Sequence, residues 1–549
     1  MCFLRAENML NEYVNPVLPG DYPDPSVVRV GNDYYLVTST FQYFPAVLIL
    51  HSTDLVNWKP IGHVITRKEQ LDLTGIPDSY GVFAPDISYY AGKFWVVVPF
   101  FHGQPRCTNL LFVADRPEGP YGDPIQLNHH FIDPSIFNDP DGRRYLAYGG
   151  GWLHEMAADG SQLIGEAKQV WPGTGGVAPE GPHLIKQNDW YYLILSEGGT
   201  FFEHKCTVAR SKSIWGPYEA NPSNPILQQT DMNKVIQKTG HGKLVQSSDG
   251  AWWMMHLGGR PLGPGGATPL GRETFLAPVE WNEDGWFTVG EGGSPVEKIQ
   301  LAADTQPPTK ELSNDLHYVD FFQTESLDPS WEWVRHPLEA GYSLNKQGLL
   351  INCLPYQLLS PQSTLVLTRR WEHLGFRTAA KLRFMPKAIG EEAGIMLYRD
   401  LDAQLLLTIR NGIGQTSGQS FDVTRLHEQQ EYKGLYLQID QVENGMRRKL
   451  YQKNLEINVE DIEATASFLL SIRLDAATQL VGFSLAKEDD REEELPLQVS
   501  AEFLYPEKAP TWLCFTAPRI GIFARGVYGT EHGKAVFENF EYEPTLVSE

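Results

Sequence analysis

This sequence has few cysteines, no long apolar run and a deficit of positive charge, and each shortage excludes a class of protein. Its five cysteines lie far apart without a CxxC pair, so neither a zinc site nor a disulfide framework is indicated. No run of about 18 apolar residues occurs, which argues against a transmembrane helix. The formal net charge of −23 argues against nucleic acid or an anionic membrane as a partner.

The chain also begins without the apolar core of a signal peptide, since residues 1–7 read MCFLRAE. We therefore expect a cytoplasmic protein that acts on something the cell imports. Helix-period patterns are nearly absent, whereas aromatic residues make up 12% of the chain, with 50 Gly and 38 Pro. This composition is typical of many short strands joined by tight turns, so we predict an all-β protein. At 549 residues, two domains are expected.

One motif recurs five times in the first half of the chain. In each copy an acidic or imidazole side chain enters a short apolar run, a turn follows, and a second run is rich in aromatic and β-branched residues. This is a β-hairpin pattern. Successive copies lie roughly 47 to 62 residues apart, a period typical of propeller blades. The residues that begin the five copies are Asp24, Asp86, Asp133, Glu180 and His241.

Five such units predict a five-bladed β-propeller whose first strands surround one axis. All five residues would then enter the axis from the same end. Carboxylates gathered in one funnel repel each other, so their pKa values must spread. The alternative, in which each acid only ties down its own loop, explains single members more readily than the whole set.

The domain boundaries follow from where the repeats stop. Residues 1–303 are predicted to be the propeller and catalytic domain, and the polar, Pro-rich segment 304–317 to be a linker. Residues 318–549 contain strand-like runs without central acids or helical periods. They predict a C-terminal β-sandwich of the concanavalin-like type.

The central acids suggest glycoside hydrolysis, which needs one carboxylic acid to protonate the leaving oxygen and one carboxylate on the other side. Asp24 lies between two prolines and is expected to stay ionised as the general base. Glu180 has a longer reach and apolar neighbours, which would raise its pKa and keep it protonated as the general acid. Asp133 is a third carboxylate that would orient Glu180 and hold its proton.

Residues 13 to 300 resemble glycoside hydrolase family 43, of the β-xylosidase and α-L-arabinofuranosidase type. The resemblance implies a five-bladed propeller, inversion of configuration, and the base, modulator and acid roles for Asp24, Asp133 and Glu180. The stretches that carry it are NPVLPGDYPDPS at 15–26, TSTFQYFP at 38–45, FIDPS at 131–135, PEGPH at 179–183, EGGT at 197–200, GHG at 240–242 and LGRET at 270–274.

The resemblance also implies substrate contacts. Arg272 would hold sugar hydroxyls and Phe41 would form an aromatic wall, although Arg272 could instead pair with Glu273. His241 would lie at the axis, beside calcium or another divalent ion in some family members, and is therefore also a candidate metal ligand. No cofactor is expected to be required. A hydrogen-bonded core histidine is the alternative for His241.

Further candidates for the sugar pocket are Trp152, as a second platform, and Thr200 and His204, near the blade of the acid. Ordinary hairpin packing is the alternative for Trp152. Two departures from the family pattern bear on which sugar is bound. Phe83 stands where Trp is usual before Ala-Pro, and Arg519 stands where the C-terminal domain is expected to offer a Phe.

The sequence therefore predicts an inverting exo-glycosidase that releases terminal β-D-xylose, α-L-arabinofuranose or both from short plant cell-wall oligosaccharides. The expected partner is a small oligosaccharide, with no nucleic acid or membrane, and a homo-oligomer is left open. One alternative is a lectin-like propeller that binds sugar without turnover. A second is a related five-bladed enzyme that cleaves fructans with a retaining pair of acids.

Overall fold

The computed structural model describes residues 11–103, 107–301, 317–414, 432–457, 467–488, 490–511, 513–529 and 531–545. These residues are almost entirely strands and turns, and no helix among them has the length and apolar character needed to cross a membrane. The chain divides into two compact units, Met1–Asp72 with Tyr80–Leu312, and Leu73–Ser79 with Ser313–Glu549. The predicted linker 304–317 lies outside the described residues except for His317.

The described residues of the first unit contain 25 short strands. In chain order they are β1 Asn11–Val14, β2 Ser26–Val30, β3 Asp33–Val37, β4 Tyr43–Phe44, β5 Ala46–Ser52, β6 Lys59–Ile65, β7 Gly81–Val82, β8 Asp86–Tyr90, β9 Lys93–Phe101, β10 Cys107–Ala114, β11 Ile125–His130, β12 Ser135–Asn138, β13 Arg144–Tyr148, β14 Trp152–Met156, β15 Leu163–Gln169, β16 Glu180–Gln187, β17 Trp190–Glu197, β18 Lys205–Ser211, β19 Glu219–Ala220, β20 Leu227–Gln228, β21 Gln237–Gln246, β22 Trp252–Gly259, β23 Glu273–Trp281, β24 Phe287–Val289 and β25 Lys298–Leu301.

These strands form the five predicted blades. The antiparallel blade sheets are β2-β3-β5-β6, β8-β9-β10-β11, β12-β13-β14-β15, β16-β17-β18-β19 and β21-β22-β23-β24, with β7 added on β9 and β20 on β18. The first strands β2, β8, β12, β16 and β21 contact one another in a closed ring. β1 pairs with β25, which joins the two ends of the unit. The predicted all-β fold with a five-bladed propeller is confirmed.

The hairpins form because tight turns separate strands whose apolar side chains alternate. In the first blade the turn passes through Gly31 at φ +65°, a backbone region that favours glycine. The strands on either side pair Val27 with Leu36 and Arg29 with Tyr34. Leu36 and Tyr34 are buried between blades. Each blade thus packs its apolar faces on its neighbours and leaves the first strands to define the axis.

The second unit is a sandwich of two antiparallel sheets. One sheet has the order β28-β29-β40-β31-β36-β37-β38, with β26 also paired to β40, and the other contains β35-β34-β33-β32-β39-β30-β27. The concanavalin-like C-terminal domain is confirmed. Its strands are β26 Tyr318–Asp320, β27 Glu332–Val334, β28 Tyr342–Asn345, β29 Gly348–Asn352, β30 Val366–Arg370, β31 Phe376–Met385, β32 Glu392–Tyr398, β33 Ala403–Gly414, β34 Tyr432–Glu443, β35 Met446–Asn454, β36 Ser467–Leu474, β37 Leu480–Lys487, β38 Glu493–Ser500, β39 Arg519–Arg525 and β40 Lys534–Pro544, with 3-10 turns at Glu502–Leu504 and Pro506–Lys508.

A short segment from early in the chain belongs to this second unit, which the sequence did not indicate. Leu73–Ser79 lies in the connection from β6 to β7. Buried Arg335 donates a hydrogen bond to the carbonyl of Ile76 at 2.6 Å and pairs with Asp78 at 2.8 Å. Asp78 in turn accepts from the Leu401 N–H at 2.9 Å. A buried arginine that needs acceptors explains why these residues pack there.

Candidate active site

The acids at the propeller axis are presented by an unusual backbone. Asp24 and Asp133 lie just before β2 and β12, and both adopt positive φ, +58° and +56°. His241, inside β21, does the same at φ +48°. The pairing of Glu180 at the start of β16 is followed by a register shift, and β21 contains two more. Such strain and bulges re-aim side chains and are concentrated at functional sites.

Asp24 is held as a carboxylate. It is buried, with Arg272 Nη1 donating to Oδ1 at 2.9 Å and Ser39 Oγ donating to Oδ2 at 2.5 Å. Burial alone would raise the pKa of Asp24, but the charge of Arg272 and the Ser39 hydrogen bond help to outweigh it, and the pKa lies below its ordinary value. Asp24 is therefore ionised at neutral pH. The role of Ser39 was missed from the sequence, although it lies in the quoted stretch 38–45.

Glu180 has the opposite electrostatics. Burial, and then the negative charge of Asp24, raise the pKa of Glu180 to about 7, although Arg272 opposes the rise. Burial also raises the pKa of Asp133 well above its usual range, with the charges of Glu180 and Asp24 adding to the effect. The Gly181 N–H donates to Asp133 Oδ2 at 3.1 Å, which favours an ionised Asp133. That hydrogen bond offsets only part of the rise, so Asp133 and Glu180 hold a proton between them at neutral pH, and Glu180 is the more accessible of the two.

Two buried histidines complete the polar surroundings and are neutral. His204 Nε2 lies 3.6 Å from Glu180 Oε1, and burial lowers the pKa of His204 to about 3. His241 Nδ1 lies 3.7 Å from Asp24 Oδ1, and burial lowers its pKa despite the nearby carboxylate. His204 fits only because Gly240 faces it, since a Cβ there would lie 2.2 Å from the ring. His204, named from the sequence together with Thr200 as a candidate pocket residue, thus lies beside the acid.

The loop that leads into Glu180 is fixed by a second buried acid. Glu197, at the end of β17, accepts hydrogen bonds from the Thr174 N–H at 2.8 Å and the Gly176 N–H at 2.7 Å. The hydroxyls of Thr174 and Thr207 donate to the same carboxylate. Burial works against its charge, but these hydrogen bonds hold the pKa of Glu197 below its ordinary value. Glu197 therefore acts on the loop and not as a proton donor.

Aromatic rings lie beside the Asp24–Arg272 pair, as predicted for Phe41. The Arg272 guanidinium carbon lies 5.6 Å from the centre of the Phe41 ring. Phe83 meets Phe41 edge-on with centroids 5.7 Å apart, and packs on Phe101 at 4.9 Å. Arg272 thus contacts the base and the aromatic wall together. The alternative pairing of Arg272 with Glu273 is wrong, because Glu273 is bound by Arg260 through two hydrogen bonds of 2.8 Å.

Trp152 and Thr200 are less closely tied to the acids. Trp152 begins β14 and stacks on Phe131 at 6.1 Å and on His130 at 6.4 Å, with its body against a hydrophobic cluster of the third blade. Thr200 is half-buried in the turn between β17 and β18. Within the described parts of the chain, no hydrogen bond joins either side chain to the three acids. Both remain predictions as sugar contacts.

Asp86 behaves differently from the other central acids. Its carboxylate pairs with Lys243 and also accepts from Ser26 Oγ at 2.8 Å and from the Ile136 N–H at 2.9 Å. The buried carboxylate of Asp86 is thus held by three hydrogen-bond donors, which leaves it poorly placed to act on substrate or water. The repeat pattern thus identifies five axial residues, but the acid–base chemistry rests on three of them.

The surroundings of His241 do not fit a divalent ion. Among the residues that the structure describes, no group of three His, Cys, Asp or Glu side chains is placed to hold a metal. The oxygen of Asp24 closest to His241 Nδ1 already accepts from the cationic Arg272. A second cation beside the same oxygen would be repelled. The metal-ligand prediction for His241 therefore gains no support from this geometry.

The Arg519 departure has a structural explanation in the sandwich. Arg519 begins β39 and is buried, with Nη1 2.5 Å from Glu332 Oε2. Arg370 binds the other oxygen of Glu332 at 3.3 Å. Arg519 is thus part of a buried ion-pair cluster.

Comparison with known proteins extends over both units. A family described as Glycosyl hydrolases family 43 matches residues 13–287, and one described as Beta xylosidase C-terminal Concanavalin A-like domain matches residues 319–543. A non-reducing end alpha-L-arabinofuranosidase of Bacteroides ovatus is 38% identical over 408 residues, 72% of this chain and 76% of that protein. A beta-xylosidase of Bacillus subtilis is 37% identical over 413 residues, 70% and 76% of the two chains. The crystal structure of the GH43 protein BlXynB from Bacillus licheniformis is similar with a TM-score of 0.86 and 36% identity, covering 97% of this chain and all of that one.

Proposed function

This chain belongs to glycoside hydrolase family 43 and is a glycoside hydrolase, and we propose that it is an inverting exo-glycosidase that releases single pentose units from short xylan-type oligosaccharides. The released sugar is β-D-xylose, α-L-arabinofuranose or both. The names of the relatives support this range, since they include a beta-xylosidase and an alpha-L-arabinofuranosidase.

The observation that carries the proposal is the division of charge between two buried acids in one site. Asp24 is ionised because Arg272 and Ser39 bind both of its oxygens, whereas Glu180 has a pKa of about 7. Paired carboxyl groups pushed apart in this way are the acid and base of glycosidases. A lectin-like binding site needs no such division.

In the proposed reaction Asp24 Oδ accepts a proton from a water molecule as that water attacks the anomeric carbon. Glu180 donates its proton to the departing glycosidic oxygen on the opposite side. Asp133, which accepts from the Gly181 N–H beside Glu180, is proposed to orient Glu180 and to hold its proton by negative charge. Arg272 fixes Asp24 and is proposed to contact sugar hydroxyls.

The substrate pocket is proposed to be completed by Phe41 and Phe83, whose rings give the sugar an apolar face to stack on. Trp152 and Thr200 are proposed as outer contacts. β-D-Xylopyranose lacks the exocyclic hydroxymethyl group of a hexopyranose, so a wall of closely packed rings favours it over a hexose.

Glu180→Gln separates the acid role from the other roles. Activity on xylobiose, which has a poor leaving group, should fall by about 10³-fold, whereas activity on an activated aryl xyloside should fall much less. Asp24→Asn should be slow on both substrates. Equal loss on both substrates for Glu180→Gln would remove it from the acid role, and near-normal turnover of Asp24→Asn would exclude Asp24 as base.

The stereochemical proposal is tested separately by proton NMR of the first-formed sugar. Inversion of a β-xyloside gives α-xylose first, before mutarotation. A first-formed β-anomer would instead show retention, as expected for the alternative five-bladed fructan-cleaving type of mechanism. A panel of aryl β-xylosides, α-arabinofuranosides and galactosides then ranks the sugars.

A further inference from the structure

A lysine occupies the centre of the propeller, at a place the catalytic proposal does not use. Lys243 lies on β21, and its Nζ donates to Ser26 Oγ at 2.9 Å and to the Ile87 carbonyl at 2.9 Å. It also donates to Asp86 Oδ1, the closest of its three contacts. The ammonium group thus uses all three of its N–H donors on oxygen atoms.

These oxygens come from the first strands of other blades. Ser26 begins β2, while Asp86 and Ile87 begin β8. The second oxygen of Asp86 accepts from the Ile136 N–H on β12 at 2.9 Å. His183 Nδ1, on β16, lies 3.7 Å from Asp86 Oδ1. Lys243 and Asp86 therefore connect the first strands of all five blades.

The Lys243–Asp86 pair is also linked to the candidate catalytic base. The His183 ring packs edge-on against the His241 ring, with centroids 6.5 Å apart. His241 Nδ1 in turn lies 3.7 Å from Asp24 Oδ1. Two buried imidazoles, those of His183 and His241, therefore lie between the Lys243–Asp86 pair and Asp24.

We propose that the ammonium of Lys243 is the resident cation of the propeller axis and takes the structural place of a divalent metal ion. A carboxylate, a hydroxyl and a carbonyl oxygen are the ligands that Ca²⁺ prefers. Here the same three oxygen types bind a side-chain ammonium. The divalent ion expected at the axis from family resemblance is therefore unnecessary in this chain, because its charge and its contacts between strands are supplied by Lys243.

The test is to remove the ammonium and offer a metal instead. Lys243→Ser leaves the carboxylate of Asp86, largely buried at 2% side-chain exposure, without its cation. We expect Tm to fall by roughly 5 °C or more, given that a buried charge loses its partner. Millimolar CaCl₂ should restore at least half of that loss. Wild-type protein should show the same Tm in CaCl₂ and in EDTA, and should carry well under one equivalent of divalent metal by mass spectrometry.

Two controls separate a specific site from general ion binding. Asp86→Asn/Lys243→Ser lacks the essential carboxylate and should show no recovery with calcium. Lys186→Ser removes another lysine bound to a buried acid, Asp139 at 2.9 Å, away from the axial set. Its Tm should fall without calcium recovery.

The proposal is overturned by any of three results. The first is a wild-type protein that holds one equivalent of calcium or another divalent ion and loses stability in EDTA. The second is a Lys243→Ser variant whose lost Tm is not recovered in CaCl₂. This holds whether the variant is isolated folded or is refolded with calcium present. Recovery of both single variants by calcium would also overturn it, because the effect would then not be specific to the axis. None of these readouts depends on which sugar the enzyme cleaves.

Discussion

Buried acids in the sandwich and buried acids at the propeller axis have opposite electrostatics. In the sandwich, Glu392 is bound by Arg447 through hydrogen bonds of 2.8 and 2.7 Å and by Arg525 at 3.0 Å. Burial opposes its charge, but these arginines lower the pKa of Glu392 to about 2. At the axis, Glu180 has a pKa of about 7. Both residues are glutamates, and they differ in whether nearby cations balance the negative charge of the carboxylate.

The difference separates acids that support the fold from acids that serve the chemistry. Where arginines match a buried carboxylate, the carboxylate is fixed as an anion and cannot donate a proton. Arg272 is a cation that lowers the pKa of all three catalytic candidates, Asp24, Asp133 and Glu180, and the neighbouring histidines are neutral. One of the three must therefore carry a proton near neutral pH. Each of the following predictions alters one side of this comparison.

The largest expected effect is on stability, from Glu392→Gln in the sandwich. The change leaves Arg447, Arg525 and Arg410, whose Nη1 lies 3.9 Å from Glu392 Oε2, around a neutral amide, and we expect a loss of about 3 kcal/mol in the free energy of unfolding. Catalytic turnover per folded molecule should stay unchanged. Because the folded pKa is depressed, the contribution of Glu392 is complete above pH 4.5 and is lost as pH falls towards 2. Denaturant unfolding of the wild type and of Glu392→Gln at pH 7 and pH 3 measures this contribution to stability.

Glu180→Gln is the matched control for that experiment. It removes a poorly matched carboxyl group, so stability should change little or increase, while activity is lost. A large loss of stability in Glu180→Gln, or a large loss of activity in Glu392→Gln, would contradict the division between the two kinds of acid.

The next effect is on catalysis and its pH dependence, from Arg272→Met. Loss of a charge-assisted hydrogen bond to Asp24 should lower kcat/KM by about 100-fold, corresponding to roughly 3 kcal/mol. The pKa of Asp24 should rise, so the acidic limb of the pH profile should move to higher pH. Arg260→Met, which removes the partner of Glu273, is the control. It should lower stability and leave the acidic limb in place.

Much of this site was predictable because the propeller repeats are local. Each hairpin motif contains its own acid, so Asp24, Asp133 and Glu180 could be identified from the motif. The spacing of these motifs along the chain predicted the blades. The opposite behaviour of Asp24 and Asp86 could not be predicted. Their local sequences are alike, but Arg272 reaches one and Lys243 reaches the other, and the pairing of residues 157 or more positions apart depends on blade packing.

The same limit explains two other surprises. Leu73–Ser79 reads as an ordinary connection between blades, and only Arg335, far along the chain, explains why it packs in the second unit. Glu197 stands in a recognised motif, but its partners Thr174 and Gly176 lie in a loop without a pattern of its own. Polar contacts between residues far apart along the chain are thus the features that local sequence patterns do not predict.

A smaller effect is expected from Glu197→Gln, which loosens the loop before Glu180. A glutamine amide would turn an N–H₂ group towards backbone donors, so at least one hydrogen bond is lost. We expect about a 10-fold lower kcat on xylobiose, corresponding to about 1.4 kcal/mol, and less on an activated aryl xyloside. The basic limb of the pH profile, governed by Glu180, should shift, and the acidic limb should not.

Thr207→Val is the graded control for Glu197, because it removes one hydroxyl that donates to the carboxylate at 2.8 Å and keeps the charge. It should reproduce a fraction of the effect in the same direction. Equal loss on both substrates with an unmoved basic limb would mean that Glu197 supports the fold only and does not position Glu180.

The smallest effect concerns the aromatic wall, where Phe83→Trp leaves all the charges of the comparison unchanged. A larger ring beside Phe41 offers the sugar more stacking area, so we expect KM for a pentoside to fall by about two- to five-fold, within 1 kcal/mol. Its kcat and both limbs of the pH profile should stay as in the wild type, because no acid loses a partner. Phe287→Trp, which enlarges a ring buried in the fifth blade, controls for general effects of size and should lower stability without improving KM. A KM for Phe83→Trp that is the same for xylosides and arabinofuranosides as in the wild type would place Phe83 outside the sugar pocket.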